Sequence, residues 1–500
     1  MSLTFMSDEL EHPDYTENIN IWNLITSLLK GKEAVDEAGT TYLPKPLGRT
    51  DAEYESYQKR AVLYNATART LDGLLGAIFR KDARVDIPDQ LEYLKYDTDG
   101  EGNTITQFSK KVSIDVISHG RAGLLVDYPT AKGIRNLADE RSANLRARIQ
   151  SYCPQSIVNW SVARDGGILK LTHVMLKEDY AETSTHVFKE KKFTRYRLCE
   201  LDDQDYYVIR ILEPKIVDDP KNRGAKITVY DQIDIIEPTL PNGRRLDFIP
   251  FKFIGAVTNT PKPNKSPLYD LAQLNLAHYR NSADYEEALF MLGQPTPYIT
   301  GLDSDFIEKN QSSLRIGSRA CWLLPEGAEV GLLESKSEKN LLQKGMELKE
   351  AEMIGLGARL VQDNASRGSE SSESVSLRRS GEASQMACIA DNVSSAIQQA
   401  LEWCAVWQNV PEVDIKFSLN KDFFTNRLTH NDITALVSAW QGGAISHKVV
   451  LDNLRKGEII DNLMSDEEVT DDISNEDPNL NIVNPLDQIG VDDADSGQGN

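Results

Sequence analysis

Apolar positions over the first 120 residues recur at helical spacing. The segment ENINIWNLITSLLKG (17–31) predicts a short amphipathic helix closed by Gly31. Thr50-Asp-Ala-Glu53 has the form of a capping box, in which the Thr and Glu side chains satisfy each other's free backbone amides. Behind it Tyr54, Tyr57, Ala61, Tyr64, Ala68, Leu71, Leu75 and Ile78 alternate at three and four, which predicts one continuous helix of about eight turns. Its aromatic stretch, Tyr54–Tyr64, reads as packing, in the core or against a neighbouring subunit. A further helix over 103–118 stops at His119-Gly120.

The period then changes to two. GLLVDYP (123–129) is strand-like, and SIVNWSV (156–162) and GILKLTHVMLKE (167–178) flank Asp165-Gly166-Gly167, a strong hairpin signal. A second hairpin joins 191–201 to 205–214 around Asp202-Asp203-Gln204. Strands at 226–236 and 249–255 complete a mainly antiparallel sheet, so residues 17–260 form one α+β domain. TNTPKPNKSP (258–267) follows, with three prolines, and reads as a linker between two units.

Residues 265–408 return to helical spacing. A helix over 267–292 ends at Gly293-Gln-Pro295. An insert, 293–336, holds a strand at 296–302, a short helix at 303–312 and a hairpin-like pair at 318–335 turning at Pro325-Glu-Gly327. Ser335-x-x-Glu338 is a capping box opening a helix to Gln362, ~37 Å long at helical rise. Its glycines, Gly345, Gly355 and Gly357, weaken it and permit close approach of a neighbour. QDNASRGSESSES (362–374) carries no large apolar residue. The last long helix runs to about Gln408 on a stripe of Met386, Ile389, Val393, Ala396, Ala400, Cys404 and Trp407, with a kink expected at Gly381. One strand (413–420) and one or two helices (429–455, broken at Gly442-Gly443) follow.

Charge changes this picture most at the C-terminus. Residues 466–500 hold eleven acidic and no basic positions and are too polar to fold alone. Over all 500 residues the formal net charge is −22, which argues against general affinity for nucleic acid or membrane surfaces but allows a channel to which DNA must not stick. The five cysteines (Cys153, Cys199, Cys321, Cys388, Cys404) are widely spaced, as free thiols in a reducing compartment would be. No signal peptide and no membrane span is expected.

Chemistry is sparse. No P-loop, HExxH, GxSxG or dinucleotide-binding glycine motif occurs. Asp97-Thr-Asp99-Gly100-Glu101 resembles a calcium loop but lacks its full spacing and reads as a solvated turn. The seven histidines are scattered. No catalytic residue, cofactor or metal ligand is expected. Lys336, Lys339, Lys344, Lys349 and Arg359 lie on or beside the second rod helix, Arg367 in the polar loop, and Arg378 and Arg379 after it. Two readings stay open. These residues are helix-surface charge partnered by Glu347, Glu350 and Glu352, or some project into a pore and meet passing phosphates without reading bases.

The order of these parts resembles the portal (head-to-tail connector) proteins of tailed bacteriophages, especially a portal-like family first catalogued as a domain of unknown function. The resemblance rests on ARTLDGLLGAIFRKDARVDIP (68–88), SHGRAGLLVDYP (118–129), PQSIVNWSV (154–162), PLYDLAQLNLAHYRNSADYEEALFMLGQPTPYITG (267–301), SLRRSGEASQMACIADNVSSAIQQALEWCA (376–405) and GGAISHKVVLDNLRKGEIID (442–461). It implies an α+β, portal-like fold. After a flexible 1–16, residues 17–260 are the wing (helical N-terminus plus antiparallel sheet). Residues 261–292 are linker and first stem helix, 293–336 an α/β clip, 337–362 the second stem helix and 363–375 a tunnel loop. A long kinked wing helix and return strand (376–428), a helical crown (429–465) and a disordered acidic tail (466–500) complete it.

The resemblance further implies a ring of about twelve copies at one capsid vertex of a virion assembled in a bacterial cytoplasm. Double-stranded DNA would pass through it without sequence specificity, driven by the terminase large subunit. A head-tail adaptor, the major capsid protein and a scaffold protein would be its other partners. The channel would be lined by Lys344, Lys349, Arg359, Arg367, Arg378 and Arg379. The tunnel loop would use Asp363, Asn364, Ser366, Gly368 and Ser369, and the clip would meet its partner through Arg315, Arg319, Trp322 and Glu326. Two other classes fit the composition: an intracellular helical adaptor or scaffold, and an acidic metal-dependent nuclease.

Overall fold

The computed structural model describes the chain except residues 1–3, 7–9, 129–145, 183–190, 219–225, 294–295, 306–307, 309–323, 325, 334–338, 358–371, 411–413, 422, 424–429, 458, 461–463, 465 and 477–500. It is a mixed fold of helices and wholly antiparallel sheets. Its described residues fall into two units, Met1–Lys421 and Asp422–Asn500.

The first unit opens with strand β1 (Thr4–Met6) and helices α1 (Pro13–Lys30), α2 (Lys32–Glu37), α3 (Asp51–Arg60) and α4 (Ala66–Ile78). Strand β2 (Arg84–Asp86), the short α5 (Tyr93–Tyr96) and α6 (Ile105–His119) lead into β3 (Arg121–Asp127) and β4 (Arg148–Tyr152). Four long strands follow, β5 (Ile157–Asp165), β6 (Ile168–Glu182), β7 (Lys191–Leu201) and β8 (Tyr207–Asp218), then β9 (Lys226–Ile236) and β10 (Phe251–Gly255). The remainder is α7 (Tyr269–Gly293), β11 (Thr296–Thr300), β12 (Glu329–Leu333), α8 (Lys339–Leu356), α9 (Ser372–Trp407) and β13 (Lys416–Ser418).

The described residues of 1–16 depart from the flexible lead-in expected there. Pro13 opens α1 with its fixed dihedral, and the His12 ring accepts the Asp14 amide, so the helix begins four residues early. His12 also stacks on Trp160 at 4.0 Å, and Leu10 is buried with Met175, Leu198 and Leu212 on one face of the large sheet.

The expected single helix over 51–78 is two. The Thr50–Glu53 capping box forms as read, but the chain leaves the helix at Ala61. Tertiary hydrogen bonds replace helical ones there. The Val62 amide donates to Ser282, the Asn65 side chain caps α4, and Asn275 bonds both Thr67 and the Tyr64 carbonyl. The apolar spacing runs through the break because both halves pack on α7.

The single expected sheet is two. Six strands run in the order β1-β9-β8-β7-β6-β5, and three in the order β10-β3-β4. The turn at Asp165-Gly166-Gly167 stands as expected, Gly166 and Gly167 both at positive φ, and the one expected at Asp202-Asp203-Gln204 extends to Tyr206, so that β8 begins at Tyr207. Strand β3 is central and buried nearly throughout, which gives a continuous apolar run rather than an alternation. Arg197 joins the two sheets through Asp127 and Glu178.

The stretch 258–267 does not divide the chain. Asn264 accepts the Val257 and Thr258 amides, Arg121 reaches the Pro261 carbonyl, and Ser266 bonds the Ser118 carbonyl. Its prolines stop a strand, but its polar groups are tied to the body. Helix α9 lies against β3, β10, α6 and β13 and buries all seven residues of its expected stripe. Its backbone stays helical through Gly381, and β13 returns to pair with β2. Among the described residues no helix is long and apolar enough to cross a membrane.

The second unit holds α10 (His430–Gln441), α11 (His447–Lys456) and α12 (Asp466–Glu476). Gly442 and Gly443 break the first two as expected. The third lies inside the tail read as unable to fold alone. Arg455 supplies what composition could not show, donating to Asp466 and to the Met464 carbonyl, while Val469 is buried. Asp466 and the acids after it open α12, where the helix dipole favours them.

Candidate functional site

Helices α7 and α8 form an antiparallel rod. Three contacts fix the register. Leu271 lies against Gly357, His278 Nε2 is 3.2 Å from Glu350, and Asn281 lies against Gly345. Residue numbers rise on one helix as they fall on the other. Gly357 is the glycine that close approach requires, since a Cβ there would sit 2.7 Å from the Thr70 side chain. Met353, fully buried, faces the same way. Beyond the rod β11 pairs with β12, Tyr298 opposite Gly331, so the insert carries a two-stranded end. The expected partner strand at 318–324 falls mostly outside the described residues, and the strand that β12 pairs with is β11.

The other side of α7 is riveted to the N-terminal helices. Ala272, Leu276, Tyr279 and Ala283 share a core with Leu24, Ile25, Leu28, Val35 and Tyr57. Polar side chains recur on α7, and several of them reach the N-terminal helices. Tyr279 donates to Asp36 at 2.6 Å, Arg280 to the Tyr42 carbonyl at 2.6 Å, and Asp284 accepts from Tyr57 at 2.6 Å. Burial and the neighbouring carboxylates push both phenols well above the usual tyrosine range.

Glu287, only 9% exposed, bridges Arg49 at 2.6 Å and Arg60, whose guanidinium also covers the Phe290 ring. Burial alone would raise this carboxyl. The two guanidinium hydrogen bonds outweigh burial and hold it below the usual carboxylate range. These positions were legible as polar residues at helical spacing on an otherwise apolar helix, a signal that the reading by apolar stripe passed over.

The outer surface of α8 is mixed. Lys344 is exposed and Lys349 half-buried, and Leu341, Leu348 and Leu356 are 64%, 61% and 53% exposed. Lys344 and Lys349 therefore share one helix but not one environment. Glu326 is exposed at the turn entering β12, where Gly327 takes a positive φ. Arg378 and Arg379 lie on the helical backbone of α9, their side chains outside the described residues. Arg359, Arg367, Asp363, Asn364, Ser366, Gly368, Ser369, Arg315, Arg319 and Trp322 lie outside the described residues. Helix α9 starts at Ser372, where the sequence pattern places its beginning, so its first residues fall inside the stretch 363–375 that the resemblance assigns to the tunnel loop.

Other candidates resolve simply. Asp97 accepts the Gly100 and Gly102 amides and pairs with Arg148, and Asp99 accepts the Glu101 amide, a turn closed on itself. No group of ligating side chains able to hold a metal occurs among the described residues. Cys153, Cys199, Cys388 and Cys404 are free thiols.

Residues 267–408 match the family model described as Domain of unknown function (DUF4055). The match spans α7, β11, β12, α8 and α9, the rod with its end and the long helix after it. No curated protein matches the chain. Among solved structures, a chain from the neck of a native gene transfer agent (GTA) particle computed with C12 symmetry is similar at 11% identity and a TM-score of 0.38, over 85% of this chain and 98% of that one. A chain from the virion of a native GTA particle is similar at 12% identity and a TM-score of 0.38, over 88% and 97%.

Proposed function

We propose that this chain is the portal subunit of a tailed-phage-like particle, a non-enzymatic ring component at one capsid vertex through which double-stranded DNA enters and leaves. The observation that carries the reading is the rod. Two antiparallel helices, one riveted along its length to an α+β body and the other exposed on its far side, end in a two-stranded sheet and lead into a long buried helix. Five of the six stretches that resemble portal proteins fall on those same elements, and the sixth, 442–461, spans α11. In this reading 17–260 is the wing, α7 and α8 the stem, the insert the clip, α9 the wing-spanning helix, and the C-terminal helices the crown.

A conduit needs a wall that DNA does not stick to and a few cations that steady the phosphates. The formal charge of −22 suits the first. Lys349, with Arg359, Arg367, Arg378 and Arg379, is the candidate set for the second, since phosphate contact carries no base specificity. The motor, the head-tail adaptor and the capsid and scaffold proteins would be partners at the clip and wing, and the particle is where the protein would reside. Particles assembled without this chain should contain no packaged genome. Particles that fill normally in its absence would remove the portal reading.

A further inference from the structure

We infer that neighbouring copies in the ring meet through two matched strips, one on each rod helix, with Lys344 of one copy against Asp284 of the next. This rests on the ring reading above. Helix α8 presents Leu341, Lys344, Leu348, Ala351 and Gly355 at alternating spacings of three and four. These positions share one side of a helix, opposite the side bearing Met353 and Gly357, which meets the body and α7. All five are exposed, the two leucines at 64% and 61%. Exposed leucines in line with small residues are poor lining for a wet channel and good material for a helix contact.

Helix α7 has a strip of the opposite character. Gln273 and Asp284 are exposed, and Ala277, Arg280 and Ala288 half-buried. They too recur at three and four, beside the side holding Ala272, Leu276, Tyr279 and Ala283. Arg280 donates to the Tyr42 carbonyl and Asp284 accepts from Tyr57, but Asp284 stays exposed and its carboxylate has room for a second donor. The strip offers small residues and a carboxylate where α8 offers leucines and an ammonium.

The register within one copy sets the heights. His278 lies level with Glu350, so Asp284, six residues on, lies level with Lys344, six residues back. By the same step Arg280 is level with Leu348, Ala277 with Ala351, and Gln273 with Gly355, while Leu341 comes within one residue of Ala288. A closed ring keeps heights equal from copy to copy and uses two different faces of each subunit. With the rod along the ring axis, the α8 strip of one copy meets the α7 strip of the next, Lys344 over Asp284, Leu341 beside Ala288 and Leu348 along the aliphatic stem of Arg280. Lys344 then serves the subunit contact, and Lys349, farther round α8, is the cation left for the lumen.

The test combines a cross-link with a charge exchange on the full chain. Leu341→Cys with Ala288→Cys, oxidised after assembly, should give a ladder of covalent multimers on a non-reducing gel, and either cysteine alone should not. Lys344→Glu should raise the concentration at which rings form by roughly tenfold through like-charge contact, and adding Asp284→Lys to the same chain should restore it. Leu341→Cys/Ala288→Cys rings that give no ladder on oxidation, together with Lys344→Glu rings as abundant as wild type, would overturn the interface. Failure of the wild-type chain itself to form rings would instead overturn the ring reading.

Discussion

Glu287→Gln is the sharpest test of how the rod is held. The side chain is 12% exposed, and its partners Arg49 and Arg60 are 29% and 25% exposed. Glutamine keeps the volume and one acceptor but removes the charge that both guanidiniums face. A hydrogen bond to a charged group contributes ~1.5–3 kcal/mol net, and water reaches the arginines in part, so the loss should be about 2 kcal/mol for the pair together. That corresponds to roughly 30-fold faster opening of α3 from α7. Amide hydrogen exchange in peptides from α3 and the outer half of α7 reads this directly, with no need for two-state unfolding of a 500-residue chain.

The pH dependence gives the sign. The Glu287 carboxyl sits below its ordinary 4.5 in the folded chain. Its stabilisation is therefore fully present above that value and lost as pH falls through the lower folded one. The wild-type and Glu287→Gln opening energies should differ at pH 7 and converge only in acid, once the pH has fallen below the lowered folded value. A difference under about 0.5 kcal/mol at pH 7, or one that persists in acid, would refute the clamp.

Two glycines should respond in opposite directions. Gly357→Ala drives a methyl into Thr70 and Leu271 and should cost ~1–3 kcal/mol, whereas Gly76→Ala, with open space around it within α4, should gain ~0.5–1 kcal/mol; thermal denaturation reads both. Met353→Ala leaves a cavity where α8 meets the body and should cost ~2–5 kcal/mol, seen as faster exchange across α8 with α1 unchanged. Lys349→Glu should shorten or slow DNA packaging with rings still forming; normal packaging would remove it from the channel wall.

Much of this fold was legible because local signals agreed with tertiary ones. The α9 stripe was read in full because each of its seven residues is buried on one side of a regular helix. Strand β9 was read to the residue because turn-forming and apolar positions bounded it. Where the reading departed, a long-range partner had overridden the local pattern. Ser282 and Asn275, some 210 residues away, end α3 and start α4, and nothing near Val62 announces it. Arg455 turns an acidic segment into a helix, and composition alone points the other way. In the site, basic residues were found by type. The exposed leucines of α8 had no distinguishing signal, since an apolar stripe in sequence does not say which side of a helix its neighbours cover.

The portal account stands or falls on the assembly formed by the purified full-length chain, imaged by negative-stain electron microscopy. It predicts closed rings of uniform copy number, near twelve, with a central opening wide enough for a DNA duplex. Particles that remain single copies or pairs at the same concentration would contradict it and return the chain to a scaffold that binds partners one at a time.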